Sequence, residues 1–586
     1  MAQKDPEIVS SGVKTPKEKT SNTGLATAVI ARWSALENSR SYWMSMWQTL
    51  ATYVMPRKSY ILNKQIGPNV DRETQLFDTT AVRANQIMAA GIMSYVNDPH
   101  SNWVQLSAPE NLEEGEGVAE YFAECTEIIL EELGRSNFYN TIHEAHLDRG
   151  AFGTTCLFVD EGDTSPLLFK TFDVGTFCAS ENHEGYVDTI LIKREMSVRQ
   201  LVEEYGLENV SDTVAKMYES GDGKNFDTKI EVVWEIRPRT EKERAKGKKD
   251  GPNKPFASHH VEWATKHVLR NAGFDEQPFF VSRFLKWQDS VYGWSPSWVA
   301  LPDAKQLNFL QKQLDALAEI AAFPRVLVPE DMNGDVEMGA GGITYFSAKD
   351  PNAVPREWMT AGRYDIGQDR VKQKQAHIED AFNVPLFQMF AQEEAQRGGT
   401  PITATQVRAM ESEKLVLISP TYSRLTTELL IPVVKRVYGI LARRGILPTP
   451  PQDLIQLNPL NEPYIPEPQV IFNNRMSIAV GTRSVQVIDE VVSGAAQLAA
   501  STGDLSPLDN FDFDKIVREK TLANGGDPEF LRDTKEVQKM RQQRAQAQQQ
   551  QAQMQQEQHQ ADVAQKIGSV KPDTAAGQQL QKSMMQ

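Results

Sequence analysis

Residues 299–322 read VALPDAKQLNFLQKQLDALAEIAA, and the fold turns on this stretch. Leu307, Leu310, Leu314, Leu317 and Ala321 recur at steps of three and four, with Gln, Lys, Asp and Glu between them. That is the pattern of a helix packing on another helix along one narrow seam. At 1.5 Å per residue, Leu301 to Ala322 spans roughly 30 Å, the length of a pillar rather than a cap. Phe323-Pro324 ends it, because proline lacks the helical donor and disfavours the α region in the residue before it.

Downstream, RVLVPEDMNGDVEMGAGGITYF (325–346) alternates β-branched runs, Val326 to Val328 and Ile343 to Phe346, with Asn333-Gly334 and Gly339 to Gly342. This predicts a small β insert with tight turns. Helix returns near Asp365. In DIGQDRVKQKQAHIEDAF (365–382) the apolar residues are Ile366, Val371, Ile378, Ala381 and Phe382, too few to bury much of the helix inside its own chain. Such a helix is either a solvated spacer or part of an assembly whose neighbours complete the contact. In QMFAQEEAQRGGTPITATQ (388–406), Gly398-Gly399 break the helix, and Thr403 with Gln406 at capping-box spacing restarts one. That third helix passes Pro420 and Pro432, each a predicted kink, and stops at Arg443, Arg444 and Gly445.

The whole chain sets outer bounds. Its 586 residues have room for two to four domains, and 24 % charged with 40 % hydrophobic residues fits a soluble globular protein. No run approaches the ~20 apolar residues of a membrane helix, and the N-terminus lacks a signal-peptide apolar core, so no membrane partner and synthesis in a cytoplasm are expected. Cys125, Cys156 and Cys178 lie in apolar or strand-like surroundings without CxxC spacing and read as buried free thiols. The formal net charge of −16 is ordinary for a soluble protein, yet it would repel DNA overall, whereas a protein that grips phosphates is basic over its contact face.

Residues 1–24 are polar and proline-containing and are expected to be disordered. From Leu25 an aromatic helix carries Trp33, Leu36, Arg40, Trp43, Trp47, Leu50 and Tyr53 at steps of three and four up to Pro56. Further helices are predicted over Ala81 to Val96, Gly117 to Gly134 and from Tyr139, with a short strand, WVQLSAP, before the second of these. From Thr154 the period changes to two. CLFVDEG, LLFKTFDV, TFCAS, YVDTILIKREM, KIEVVWEIRP and FFVSRFLKW read as strands, with a short helix near Val198 to Tyr205. The most basic run, RPRTEKERAKGKKDGPNKP (237–255), carries no aromatic to stack a base and reads as a solvated loop. After Gly445 come a proline-rich connection, the strand QVIFNN and a helix around Ser484 to Ala500. The glutamine-rich EVQKMRQQRAQAQQQQAQMQQEQHQADVAQK (536–566) lies in a segment with helical propensity from Pro528 onward, but its lack of an apolar stripe means it needs copies of itself to persist.

Enzymatic signatures are missing: there is no GxxxxGK[ST] loop, no GxGxxG after a strand and no GxSxG elbow. His143 and His146 lack the pairing of an HExxH zinc helix, and the pairs Glu113-Glu114 and Glu393-Glu394 sit in polar contexts. The expectation is a protein that is not an enzyme, with no cofactor and no catalytic or metal site.

Four blocks carry a family resemblance: RWSALENSRSYWMSMWQTLATYVMPR (32–57), FDTTAVRANQIMAAGIMSYVNDPHSNWVQL (77–106), VYGWSPSWVALPDAKQLNFLQKQ (291–313) and GGTPITATQVRAMESEK (398–414). They resemble the portal proteins, or head-to-tail connectors, of short-tailed bacteriophages, over about Leu25 to Ala500. The resemblance implies a mixed α+β, helix-rich portal fold of wing, stem, clip and crown or barrel, assembled as a ring, usually of twelve subunits. The ring would stand at one capsid vertex of the virion as the channel for genome packaging and ejection, and as the docking platform for the terminase motor and then the tail.

On this reading the arm is 1–24, the wing 25–296, the stem helices 297–322 and 365–384, and the clip 323–364. The tunnel loop is 385–402, the kinked helix joining channel to wing 403–445, the crown 446–527, the helical barrel 528–566 and a disordered tail 567–586. Channel or DNA-proximal candidates are Arg370, Lys372, Lys374, Glu393, Glu394, Arg397, Gly398 and Gly399. Clip docking candidates are Arg325, Arg356 and Trp358. Leu307, Leu310, Leu314, Leu317 and Ile378 are candidates for intersubunit contacts in the stem. Implied partners are further copies of the chain, double-stranded DNA, the terminase large subunit, tail adaptor proteins, and major capsid and scaffolding proteins. Competing readings are another ring-forming virion protein, such as a tail adaptor or internal core protein, and a DNA-packaging enzyme.

Overall fold

The computed structural model describes residues 16–58, 61, 76–109, 116–162, 165–221, 223–245, 250–287, 290–322, 326–327, 356–357, 364–388, 418–457, 463–474 and 476–477. Beyond these it describes 488, 491–499, 501, 506, 510–523, 537, 539–544, 546–547, 550 and 553–554. The chain divides into two units, Met1–Val480 and Gly481–Gln586.

In the first unit, α1 (Pro16–Ser39) begins inside the stretch expected to be disordered. Proline suits a first helical turn, and the Lys and Glu that follow are good helix formers. The expected single aromatic helix is broken at Arg40, after which α2 (Ser41–Val54) follows. Arg40 is buried and donates to the carbonyls of Val174, Gly175 and Phe177, so the chain bends where this cation must reach inward. Three helices then follow, α3 (Thr80–Val96), α4 (Glu116–Arg135) and α5 (Phe138–Phe152), close to their predicted bounds.

Strands β2 (Thr154–Asp160), β3 (Leu168–Phe172), β4 (Phe177–Glu181), β5 (Val187–Ser197) and β6 (Lys229–Pro238) fall where period two places them. Between β5 and β6 lie α6 (Val198–Tyr205), α7 (Asp212–Glu219) and α8 (Gly223–Phe226). A capping box sets the start of α6: the Ser197 hydroxyl accepts from the Gln200 N–H, and the Gln200 side chain accepts from the Ser197 N–H. Two strands were not legible, β7 (Phe256–Glu262) and β8 (Val268–Phe274). With β9 (Phe279–Arg283) they complete two antiparallel sheets, ordered β4-β5-β6-β7-β8 and β3-β2-β9. The larger sheet is covered on one face by Ala26, Val29 and Trp33 of α1 against Leu191, Val233 and Val261. Leu201 and Val214 of α6 and α7 lie against Val232 and Leu269 on the other. Burial on both faces is why the alternation in β7 is hidden in sequence.

The pillar is α9 (Pro296–Ala322), with Pro296 in its first turn. Of the β insert, β10 (Val326–Leu327) pairs with β11 (Arg356–Glu357); its second predicted run, 343–346, lies outside the described residues. The helix α10 (Tyr364–Ala381) follows, then the single turn α11 (Val384–Phe387). Residues 418–425 are helical and continue through a widened π turn, Thr426–Leu430, into α12 (Ile431–Arg443). Pro432 has no N–H for the Glu428 carbonyl and its ring needs room there, which accounts for the wide turn. Gly445, at φ 66°, ends this helix as expected, the Ile446 N–H bonding back to the Leu441 carbonyl. Short β12 (Gln456–Leu457) and β13 (Pro463–Tyr464) pair with each other, and β14 (Gln469–Phe472) returns to pair antiparallel with β1 (Val104–Ser107).

In the second unit, α13 (Phe513–Ala523) was not anticipated; Arg541 pairs with Asp514 at 2.6 Å. The described residues of the glutamine-rich stretch are helical.

Candidate functional site

α9 and α10 form an antiparallel hairpin. The Lys374 ammonium donates to Asp303 at 2.6 Å, with His377 Nδ1 3.8 Å from the same carboxylate. Further along, Gly367 lies against Leu314, and a Cβ there would stand 2.6 Å from a Leu314 methyl. Leu307, Leu314, Ile378 and Phe382 are buried in this seam and the core behind it. A third helix closes the bundle: Gln375 of α10 donates to Asp78, just ahead of α3, and Phe387 of α11 packs on Gly91 of α3. The Phe77 N–H donates to Asn308 of α9, and Lys312 and Lys305 stand over the rings of Phe77 and Tyr53.

The base of α9 explains the block Tyr292 to Ser297. Gly153 ends α5 at φ +79°, and its backbone passes so close to Gly293 that a Cβ would meet the Gly293 carbonyl oxygen at 2.4 Å. The Thr154 hydroxyl accepts from the Gly293 N–H at 2.8 Å, while Ser295 and Ser297 donate to the carbonyls of Ala151 and Gly150. The Tyr292 hydroxyl accepts from the Ala179 N–H, and its ring joins Trp43, Trp47, Trp294 and Trp298 in one aromatic cluster. Each polar residue of this block therefore fixes the direction in which α9 leaves the body.

Beside this base lies an ionic clamp that sequence reasoning missed. Arg149 is fully buried on α5 and donates to the carbonyls of Arg283 and Thr421. Burial pulls its pKa down to about 9, with Glu428 opposing. The Arg283 guanidinium is held between Glu428, at 2.7 Å, and Glu181, and Arg424 adds a second contact to Glu428. A cleft of about 310 Å³ opens there, lined by Arg283, Lys286, Arg424 and Glu428 among others. The clamp fixes residues 418–430 on β9. A lone arginine inside a helix gives no sequence signal that it is buried.

The predicted site residues divide accordingly. Lys374 is neutralised by Asp303, whereas Arg370 and Lys372 are exposed and have no carboxylate partner among the described residues. Leu307, Leu314 and Ile378, expected between subunits, are covered by their own chain, because α10 supplies the apolar partners the seam needs; Leu310 and Leu317 are half-buried. Arg356 lies in β11, paired with Leu327. Arg325, Trp358, Glu393, Glu394, Arg397, Gly398 and Gly399 lie outside the described residues.

Among the described residues no group of His, Cys, Asp and Glu is arranged to hold a metal ion, and no helix is long and apolar enough to cross a membrane. His146 is fully buried with neither ring nitrogen hydrogen-bonded, and burial drives its pKa down to about 3. The three cysteines are buried free thiols, as their surroundings implied, and burial raises the pKa of each.

Residues 26–531 match the sequence model of one family, described as "Bacteriophage head to tail connecting protein". The chain is 30 % identical over 525 residues to the "Portal protein" of Salmonella phage epsilon15, covering 88 % of this chain and 90 % of that one. It is 27 % identical over 554 residues to the "Probable portal protein" of Bordetella phage BPP-1, covering 92 % and 95 %. Among solved structures, one titled "Virion of native gene transfer agent (GTA) particle" aligns at TM-score 0.32 and 11 % identity over 70 % of this chain and 85 % of that one.

Proposed function

The chain belongs to the bacteriophage head-to-tail connecting proteins, and from that premise we propose that its copies close into a ring whose α9–α10 hairpins wall an axial channel for double-stranded DNA. Its role is that of a portal protein in the phage head, at the capsid vertex. Portal proteins are structural proteins rather than enzymes. A ring of twelve, a division into wing, stem, clip, crown and barrel, and docking of the terminase large subunit and then a tail adaptor through the clip (323–364) belong to the same proposal, as do contacts with capsid and scaffolding proteins.

One observation carries the channel assignment. α10 turns half-buried Val371 and buried Ile378 inward, with buried Phe382 just past its end, and Arg370, Gln373 and His377 follow one another along the exposed side. A surface so polar, on a helix anchored from behind, suits a wall that DNA slides along. Because Asp303 neutralises Lys374, Arg370 would be the main cationic ring on this stripe. A conduit must not hold its cargo, and each cation repeated around a ring adds a phosphate contact with a steep dependence on salt.

The test is Gln373→Lys, which adds one cation per copy on this stripe. Packaging of DNA into heads should slow at low salt and recover as salt is raised. Packaging at the unaltered rate at every salt concentration would discard the channel assignment.

A further inference from the structure

α9 carries a second stripe that its own chain leaves uncovered. On the side away from Leu307 and Leu314, exposed Pro302, Phe309 and Ala316 and half-exposed Ile320 follow at helical spacing with Gln306 and Gln313 between them. Phe309 is 62 % exposed. Steps of three and four that repeat over five turns are what a second helix needs in order to pack along a first. Lys305 and Lys312 flank Phe309 at i−4 and i+3, exposed and without a carboxylate partner among the described residues. α10 has the complementary edge: Asp365, Asp369 and Asp380 are exposed on it and meet no cation among the described residues.

Rotation about a ring axis leaves height along that axis unchanged. If the hairpin runs along the axis, the levels fixed inside one chain also hold between neighbours. Leu314 is level with Gly367, and the helices are antiparallel, so Lys312 is level with Asp369 and Phe309 with Lys372. We propose that α9 of one copy packs on α10 of the next, Lys312 pairing with the neighbouring copy's Asp369 while Phe309 lies along the methylenes of that copy's Lys372. The occupant of the exposed stripe is thus a second copy of this chain, a conclusion that rests on the ring reading. The same helix then serves two surfaces: the Arg370–His377 stripe faces the channel, and the Asp365–Asp369–Lys372 edge faces the neighbour.

The experiment uses the full chain carrying Lys312→Cys and Asp369→Cys together, treated with a short bismaleimide. The three natural cysteines are buried, so the introduced pair reports. A ladder of covalent multimers is expected from the double variant and none from either single one. Annular particles in electron micrographs without a ladder overturn this packing and leave the ring standing; absence of annuli from the unaltered chain removes the ring and this packing with it. Should the cysteine pair fail to assemble, a charge swap decides. Lys312→Glu should weaken association about two- to fivefold per contact, and adding Asp369→Lys should restore it; failure to restore overturns the pairing.

Discussion

Replacing His146 with leucine tests the interior of the first unit through its response to acid. The imidazole is fully buried, makes no hydrogen bond, and has Arg149 and His143 nearby, so burial first and like charge second hold its pKa near 3 instead of 6.5. A depressed histidine pKa means the fold accepts only the neutral ring. Its contribution is therefore fully present above pH 6.5 and is lost as the pH falls toward 3. Each pH unit in that window removes about 1.4 kcal/mol, or about 2 kcal/mol by pH 5. Asp148 works in the opposite direction: burial, opposed by Lys58, raises its pKa to about 6, so its protonation favours the fold as the pH drops below 6. Both proteins share Asp148, so the difference between them isolates His146. The assay is urea unfolding of both at one subunit concentration, because association makes apparent stability concentration-dependent. Leucine should match or exceed the native residue near neutrality, since it removes two unpartnered nitrogens, and its advantage should widen by about 2 kcal/mol near pH 5. A difference that stays constant from neutral pH to pH 5 would refute the reasoning.

Two further substitutions bear on how the hairpin is held. Gly153→Ala forces a Cβ into a left-handed position beside the Gly293 carbonyl, and should cost about 3 kcal/mol, seen as a lowered thermal midpoint and a shifted tryptophan emission from the adjacent cluster. Unchanged emission would mean that this loop does not seat α9. Glu428→Gln strips a buried arginine of one carboxylate; it should destabilise by about 3 kcal/mol, and the loss should hardly change with added salt, because the pair is shielded from water. A loss that fades with salt would place the contact at the surface instead.

The sequence revealed most where one face of an element is apolar and the other is not. α9 was legible because its leucines keep a seam, yet period alone reports that a helix packs, not whether the other helix comes from the same chain; the burial of Leu307, Leu314 and Ile378 within one chain supplies that. β7 was illegible because its interior is polar. His259 meets Glu235 at 2.9 Å, His260 meets Tyr205 at 2.8 Å and Ser211 donates to Glu262 at 3.1 Å, so residues that read as solvent-facing are buried in pairs. Arg149 and Arg283 were hidden because Thr421 and Glu428, which hold them, lie more than a hundred residues away in the chain. The block Tyr292 to Ser297 stood out as a marker, but its purpose, docking α9 on the left-handed end of α5, needed coordinates.

Native mass measurement of the purified protein, with images of the same sample, tests the central claim most directly. The account predicts an integral number of 65.8 kDa copies closed into an annulus with an open axial hole. A species that stays at 65.8 kDa at every concentration, or a multimer without a hole, would contradict it.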